Sequence, residues 1–385
     1  MIKIENPNIE NIAQVYFDNV KERIKGRCDF LIQVLDVLNN ELNFNALARH
    51  SLHGSTKKTL SNQFLLPAFK LNNQTQYANV IINNIYPSMA ANHNSFRDIL
   101  TYLNNDNHLR ELILCSPDNA LQTENDFILN SSLPNPLSDE LKGFLNNIID
   151  YALFDDYAYD IATKLNVNTC PYCNRNYINT VINKKGKHII RPTFDHFFPQ
   201  KRHPFLALSF YNLIPSCYYC NSSLKSATPT SIDTHIHPYF EGFDSDTSFH
   251  IKINSCKPAK SDPENYSLKL NDNMNQSSPK DRYRKIFGGT RILPDPTQGN
   301  INLFKLEDIY QSHLDIVGEL VVKCDKLNTW YAGSLLTIFE LLGTNKSEFY
   351  QYYFGNYFDE GDFNRRPMAK LSKDIVSQVL PKFIK

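Results

Sequence analysis

Three pieces of sequence decide the reading. They are Cys170-Pro171-Tyr172-Cys173, Phe194-Asp195-His196-Phe197-Phe198-Pro199, and Asn212-Leu213-Ile214-Pro215-Ser216-Cys217-Tyr218-Tyr219-Cys220-Asn221-Ser222-Ser223-Leu224-Lys225. Each Cys-x-x-Cys pair offers two thiolates to one ion. Two such pairs, with 43 residues between them, suit a tetrahedral four-cysteine Zn2+ site made of Cys170, Cys173, Cys217 and Cys220. An ion held by four protein sulfurs has no open position, so this zinc is structural. It clamps the ends of a segment that has little core of its own. Unrelated thiols or a redox pair are the alternatives, and two matched pairs argue against both. The other cysteines, Cys28, Cys115, Cys256 and Cys324, are scattered singly.

Between the pairs the pattern turns strand-like. Tyr177 to Asn183 and His188 to Phe194 are rich in Ile, Val, Thr and aromatic residues, and Lys184-Lys185-Gly186-Lys187 reads as a turn. This predicts a hairpin whose second strand delivers Asp195 and His196. Charge is concentrated in the same region. The 385-residue chain has 40 basic and 40 acidic residues, yet Ile161 to Lys225 carries a net +8, with Asp195 its single acid. Bulk charge therefore does not mark a protein that coats nucleic acid, but a local basic rim is present. Lys184, Lys185 and Lys187 also read as an ordinary solvated loop. His203, after Lys201 and Arg202, reads as a surface or phosphate-facing residue.

Taken together, these residues resemble the HNH nuclease family. The shared pattern is Cys-x-x-Cys, Asp-His-x-x-Pro, Asn-Leu, Cys-x-x-Cys-Asn and a trailing Lys, in the family's order, over roughly 60 of 385 residues. Asn221 stands where the family's final His often stands, a common variant. The resemblance implies a β-hairpin and a helix around one metal ion (the ββα-metal or His-Me finger unit). Asp195 would end the first motif strand, the second would run near Asn212 to Ser216, and the helix would start around Tyr218 and carry Asn221 and Lys225.

Roles follow from the chemistry of phosphodiester hydrolysis. His196 can take a proton from water near neutral pH and is the expected general base. Asp195 and Asn221 offer oxygen ligands to a hard divalent ion, Mg2+ or Mn2+. That ion would polarise the phosphate and stabilise the leaving 3′ oxygen. The resemblance makes Asn212 the residue that orients the His196 loop through hydrogen bonds. Arg191, Lys201, Arg202 and Lys225 are the expected phosphate contacts. His235 and His237 lie just past the motif helix. Many HNH sites carry an extra histidine there, so one of them, His237 first, is a candidate third ligand; the competing reading is a structural histidine.

The flanks read as helical. Ile9, Ile12, Val15, Tyr16, Val20 and Ile24 recur at helical spacing, and Phe30, Leu31, Val34, Leu35 and Leu38 continue it past Gly26, as one helix or a pair. Gly54 to Thr59 resembles a phosphate loop faintly and lacks its second glycine. Leu133-Pro134-Asn135-Pro136 suggests a boundary, and Ser138 can cap a helix with Leu141, Leu145, Ile148 and Ala152 on its face. Residues 226–303 read as irregular, with surface loops around short strands from Lys252 to Pro294. Helices are expected from about Leu306, over Leu327–Leu342, over Ser347–Tyr357 and over Lys370–Leu380. The expected fold class is α+β, in three parts: a helical domain at 1–135, the nuclease module with its zinc site at 136–240, and a loop-rich then helical region at 241–385.

Function follows as an expectation: a metal-dependent endonuclease acting on DNA. The wider Asp-His-Phe-x-Pro, His-Pro-Phe-Leu-Ala and Asn-Leu-Ile-Pro-Ser-Cys pattern resembles HNH proteins of bacterial anti-phage defence, similar to the nuclease subunit of the Septu system. Such subunits often work with a co-encoded ATPase. The alternatives are an RNA-cleaving, toxin-like effector and a zinc-stabilised nucleic-acid-binding module without catalysis. Arg365-Arg366-Pro367 is a further candidate nucleic-acid contact, with an ordinary exposed loop the favoured alternative. The first residues lack a secretory apolar stretch and no apolar run approaches ~18 residues. A cytoplasmic protein without membrane partners is therefore expected, and disulfides are not.

Overall fold

The computed structural model describes residues 1–38, 93–131, 139, 145, 148–255, 259–275, 278–327, 329–341 and 343–381. The boundary expected at 133–136, the cap at Ser138 and the Gly54 to Thr59 stretch lie outside them. The class is α+β. Two compact units form, and both are discontinuous in sequence. One holds residues 7–164 and 198–213; the other holds 1–6, 165–197 and 214–385.

The first unit is helical. α1 (Ile9–Leu38) is one continuous helix of 30 residues. Ile12, Tyr16, Val20, Ile24, Leu31 and Leu35 are buried along one face, as the periodicity requires. Gly26 does not break it; nothing lies within 4 Å of where its Cβ would stand, so the position is an open one on the helix surface. α2 (His93–Leu103) and α3 (Asp106–Leu114) pack on α1, and α4 (Ala120–Asn130) packs on α3. Asn105 caps α3 by accepting from the Asn107 and His108 amides. Segment 198–213 supplies part of this core. Phe205, Leu206, Leu208 and Phe210 are almost fully buried, Phe205 lies 4.3 Å from the Phe127 ring, and the Tyr16 hydroxyl donates to the Leu208 carbonyl at 3.0 Å.

The second unit carries the strands. β1 (Val181–Ile182) and β2 (His188–Ile190) form the expected hairpin as a short antiparallel pair. The second hairpin strand does not deliver Asp195 and His196. It ends at Ile190, Pro192 has no N–H to continue a ladder, and a new strand, β3 (Thr193–His196), carries that pair instead. β3 pairs with β4 (Leu213–Ser216), and the Thr193 hydroxyl donates to the Ser216 carbonyl at 2.8 Å. The chain then runs into α5 (Tyr219–Lys225), a wide helical turn in which the Ser226 amide reaches back five residues to the Asn221 carbonyl.

The region expected to be irregular holds more order than its composition suggests. β5 (Thr247–Ile253) and β6 (Tyr266–Asp272) pair antiparallel over seven residues each. Phe249, Tyr266, Leu268 and Leu270 turn inward against α6 (Leu314–Lys326) and α7 (Ala369–Val379). The helix expected from Leu306 is split into Leu306–Gln311 and α6 by Ser312 and His313. Thr329–Leu341 and Lys346–Phe354 match the remaining expected helices, the latter opened by an Asn345/Glu348 capping box. No helix among the described residues is long and apolar enough to cross a membrane.

Candidate metal centre and active site

Four sulfurs from distant parts of the sequence converge in the second unit. Cys170 and Cys173 sit in the turn before the hairpin, Cys217 and Cys220 in the turn that opens α5. All four are buried, and their Sγ atoms lie within 4.8 Å of one another. A Zn–S bond of ~2.3 Å places the sulfurs of a tetrahedral site roughly 3.8 Å apart, a separation that this cluster can accommodate. Among the described residues, this is the one cluster of three or more His, Cys, Asp or Glu side chains close enough to share a metal. The described cysteines are all free thiols. Hydrogen bonds from Cys170, Cys173 and Cys220 hold the Cys217 thiol far below its ordinary value, and the Asn176 amide donates to its sulfur at 3.4 Å. The site can hold a structural metal such as zinc.

The turn around the first pair is itself braced. Asn174 adopts a left-handed φ of 47°, its side chain donates to the Phe363 carbonyl at 2.8 Å, and its carbonyl accepts the Met368 amide at 2.7 Å. The strand reading of 177–183 gives no hint of this dependence on the C-terminal region.

Asp195 sits at the end of β3, 2 % exposed. Its Oδ2 accepts the Tyr172 hydroxyl at 2.7 Å and its Oδ1 accepts the Lys225 ammonium at 3.1 Å. Lys225 also donates to the His196 carbonyl at 2.6 Å. Both partners are tied to the cysteine turns. Tyr172 lies inside the first pair, buried and stacked on Phe304 at 4.3 Å, and Lys225 ends the helical turn that follows the second. Lys225, expected at a phosphate, is 1 % exposed and ion-paired. The His196 side chain is half-buried, as is Asn221.

His235 and His237 are both buried in this unit. His235 shares a hydrogen bond between Nδ1 and the Thr234 hydroxyl at 2.8 Å, while its Nε2 has no hydrogen-bond partner. Burial, and then the charge of Lys225, push its pKa down to about 4, so the ring is neutral at physiological pH. His237 stacks among Phe197, Tyr239 and Phe240, with the Phe197 ring 4.4 Å away, and its Nδ1 accepts the Tyr239 amide at 3.4 Å.

Asn212 belongs to the helical unit, where it makes three hydrogen bonds. Its Oδ1 accepts the Phe198 amide at 2.6 Å, and its Nδ2 donates to the Leu206 carbonyl at 2.8 Å and the Phe198 carbonyl at 3.2 Å. It thus fixes the backbone two residues past His196 in sequence. Replacing Asn212 with alanine strips all three and leaves the Phe198 amide buried without an acceptor. A loss of about 2–4 kcal/mol is expected, read by urea denaturation and by faster amide exchange in peptides covering 198–206. Unchanged protection there would refute the role.

The residues of the expected rim fall in both units. Arg191 is half-buried and donates to the Pro192 carbonyl at 2.9 Å; Lys201 and Arg202 are exposed in the helical unit. His203 does not face solvent freely: its Nδ1 lies 2.6 Å from the buried Glu124 carboxylate. Arg365 and Arg366 both lie over the Tyr357 ring, and Arg365 pairs with Asp362. Sequence reasoning quoted Tyr172 but gave it no role. Its place between two metal-site cysteines was the available signal, because a short knuckle leaves the intervening side chain little freedom of direction.

No protein-family model, no curated protein and no solved structure matches this chain.

Proposed function

We propose that the chain is a metal-dependent endonuclease of the HNH type that hydrolyses phosphodiester bonds of DNA, in bacterial anti-phage defence or restriction. One observation carries the reading. Asp195 and His196 end a strand paired to β4, and β4 leads into a helical turn bearing Asn221 and Lys225. This strand, strand and helical-turn order supports the reading, with Cys170 and Cys173 ahead of β3 and Cys217 and Cys220 where β4 passes into the turn.

In this reading His196, half-buried, is the general base that takes a proton from water. Asp195 and Asn221 are the hard oxygen donors that would hold Mg2+ or Mn2+, which when bound supplies charge stabilisation to the phosphate. Each carboxylate oxygen has a second lone pair, so the bonds from Tyr172 and Lys225 leave Asp195 able to take an ion. His235, neutral and with Nε2 unclaimed, stands beside His237 as a candidate nitrogen ligand. The Tyr172 hydroxyl fixes the direction of the Asp195 carboxylate. Tyr172→Phe, which keeps the ring and the metal site, is expected to slow cleavage roughly 10- to 100-fold. Zinc content should be unchanged; a variant as fast as the parent would remove Tyr172 from the site.

A second reading has its own support. A buried carboxylate with two partners can serve as a strut, which favours a zinc-stabilised nucleic-acid-binding module without catalysis. Supercoiled plasmid incubated with the zinc-loaded protein and Mg2+ or Mn2+, against an EDTA control, separates the two. The same assay is run with RNA and with a co-encoded ATPase. Metal-dependent cleavage supports the nuclease, cleavage of RNA alone moves it to the toxin-like effector, and binding without cleavage under all these conditions leaves the module.

A further inference from the structure

The β1–β2 hairpin is built unlike a segment whose only task is to connect. All ten residues from 181 to 190 are exposed. Four are large and β-branched: Val181 is 42 % exposed, Ile182 41 %, Ile189 54 % and Ile190 56 %. Three more, Lys184, Lys185 and Lys187, put a cluster of positive charge at the tip, and no acid occurs between Asp160 and Asp195. The geometry is fixed in spite of the exposure. Val181 pairs with Ile190 and Ile182 with His188, the Asn183 Oδ1 accepts both the Lys185 and Lys187 amides at 2.9 Å, and Gly186 supplies the left-handed φ of 75° that the turn needs. Apolar side chains held in water on an ordered ribbon contribute nothing to a core, and such surface marks a contact.

The composition selects the partner. Lysines at the tip suit phosphate, and their sign argues for a polyanion. Two strands about 4.8 Å apart make a ribbon that fits the major groove of B-form DNA, about 12 Å wide, where thymine methyls offer apolar contacts. The deep, narrow major groove of duplex RNA does not admit side chains in that way. We propose that the hairpin is a DNA-gripping ribbon that enters the major groove, its lysines on the phosphates and one of its two faces of Val and Ile side chains against base edges. The chain passes from Ile190 through Arg191 and Pro192 directly into β3, so a duplex held by the ribbon is tethered within a few residues of Asp195. This inference rests on the nucleic-acid reading above and extends it by naming the contact.

The test uses the full-length, zinc-loaded protein carrying His196→Ala, so that binding is measured without cleavage. A short labelled DNA duplex is titrated by fluorescence anisotropy across a salt series. Two variant sets lie on the exposed ribbon and avoid the core: Lys184→Gln with Lys185→Gln and Lys187→Gln, and Val181→Thr with Ile182→Thr, Ile189→Thr and Ile190→Thr. Threonine keeps the β-branched shape and removes the apolar surface. The glutamine set should weaken binding and lower the slope of log K against log salt by up to about 0.9 for each lysine on a phosphate. The threonine set should weaken DNA binding by about tenfold at unchanged slope and leave duplex RNA binding as it was. If both sets bind DNA as the parent does, the ribbon is not the DNA contact, the proposal is overturned, and a protein partner becomes the better occupant. If the parent itself binds no DNA, the proposed function fails and this inference fails with it; that outcome is visible before any ribbon variant is made.

Discussion

Cys217→Ser is expected to abolish zinc uptake at the four-cysteine site and to cost much of the order in residues 165–197 and 214–225. Cys217 is one of four buried thiols grouped tightly enough to share an ion, so a serine there removes one of the four sulfur ligands. Oxygen is a poor replacement for a thiolate at a soft four-sulfur site. The energetic scale is large: structural zinc contributes apparent values of about 10–16 kcal/mol in small zinc domains, comparable with the ~5–15 kcal/mol net stability of a whole domain. The intervening hairpin is wholly exposed and β3 and β4 span only four residues each, so the loss falls first on this segment, while the Asn174 and Tyr172 contacts keep part of the first turn in place. Metal analysis of the purified protein should give one zinc per chain for the parent and none for the variant. Hydrogen exchange should show peptides from 165 to 197 deprotected, with α1 as the internal comparison. A variant that keeps its zinc and the parent's protection would refute the four-cysteine site.

His196→Ala is expected to lower metal-dependent plasmid cleavage by about 10²–10⁴-fold, the range that a lost general base costs. The backbone contact at this position survives the substitution. Lys225 is anchored to the Asp195 carboxylate and to the backbone carbonyl of residue 196, and alanine keeps that carbonyl. The Tyr172–Asp195–Lys225 set and the zinc should therefore survive, so a lost rate reports on the imidazole itself. Zinc content and thermal midpoint are measured on the same preparation. Equal rates for parent and variant would show that another group activates the water and would send the search to His235 and His237. A low rate in a variant that has also lost zinc would report on folding.

These two experiments probe parts of the protein that were legible to different degrees. The cysteine pairs announced themselves because a metal site demands fixed residue types at short spacing, and that demand is local. The helical face of α1 was legible for a similar reason: 3.6-residue periodicity is a property of the chain, and burial of Ile12, Tyr16, Val20 and Ile24 follows it. The resemblance makes Asn212 orient the His196 loop; the bonds it makes go to Phe198 and Leu206. The break between the hairpin and β3 went unread although Pro192 stood in plain view, because a run of β-formers on either side outweighed one missing N–H. Short strands between Lys252 and Pro294 were legible but the seven-residue β5–β6 pairing was not, because Ser267, Lys269 and Asn271 alternate with the inward Tyr266, Leu268 and Leu270 and give the stretch a loop-like composition.

The sequence by itself determined the residue types: four cysteines able to share one ion, an Asp-His pair between them, a basic segment, and helices whose faces repeat. Only the tertiary structure decided what those residues touch. It turned Lys225 inward onto Asp195, placed the Tyr172 hydroxyl on the same carboxylate, buried His235 with a bare Nε2, and divided the chain into two units that each draw on separated segments. The physical reason is one of range. Spacing and periodicity are set by bonds a few residues long, whereas the partner of a buried charge is whichever group the packing brings within about 3 Å, and that group can lie anywhere along the chain.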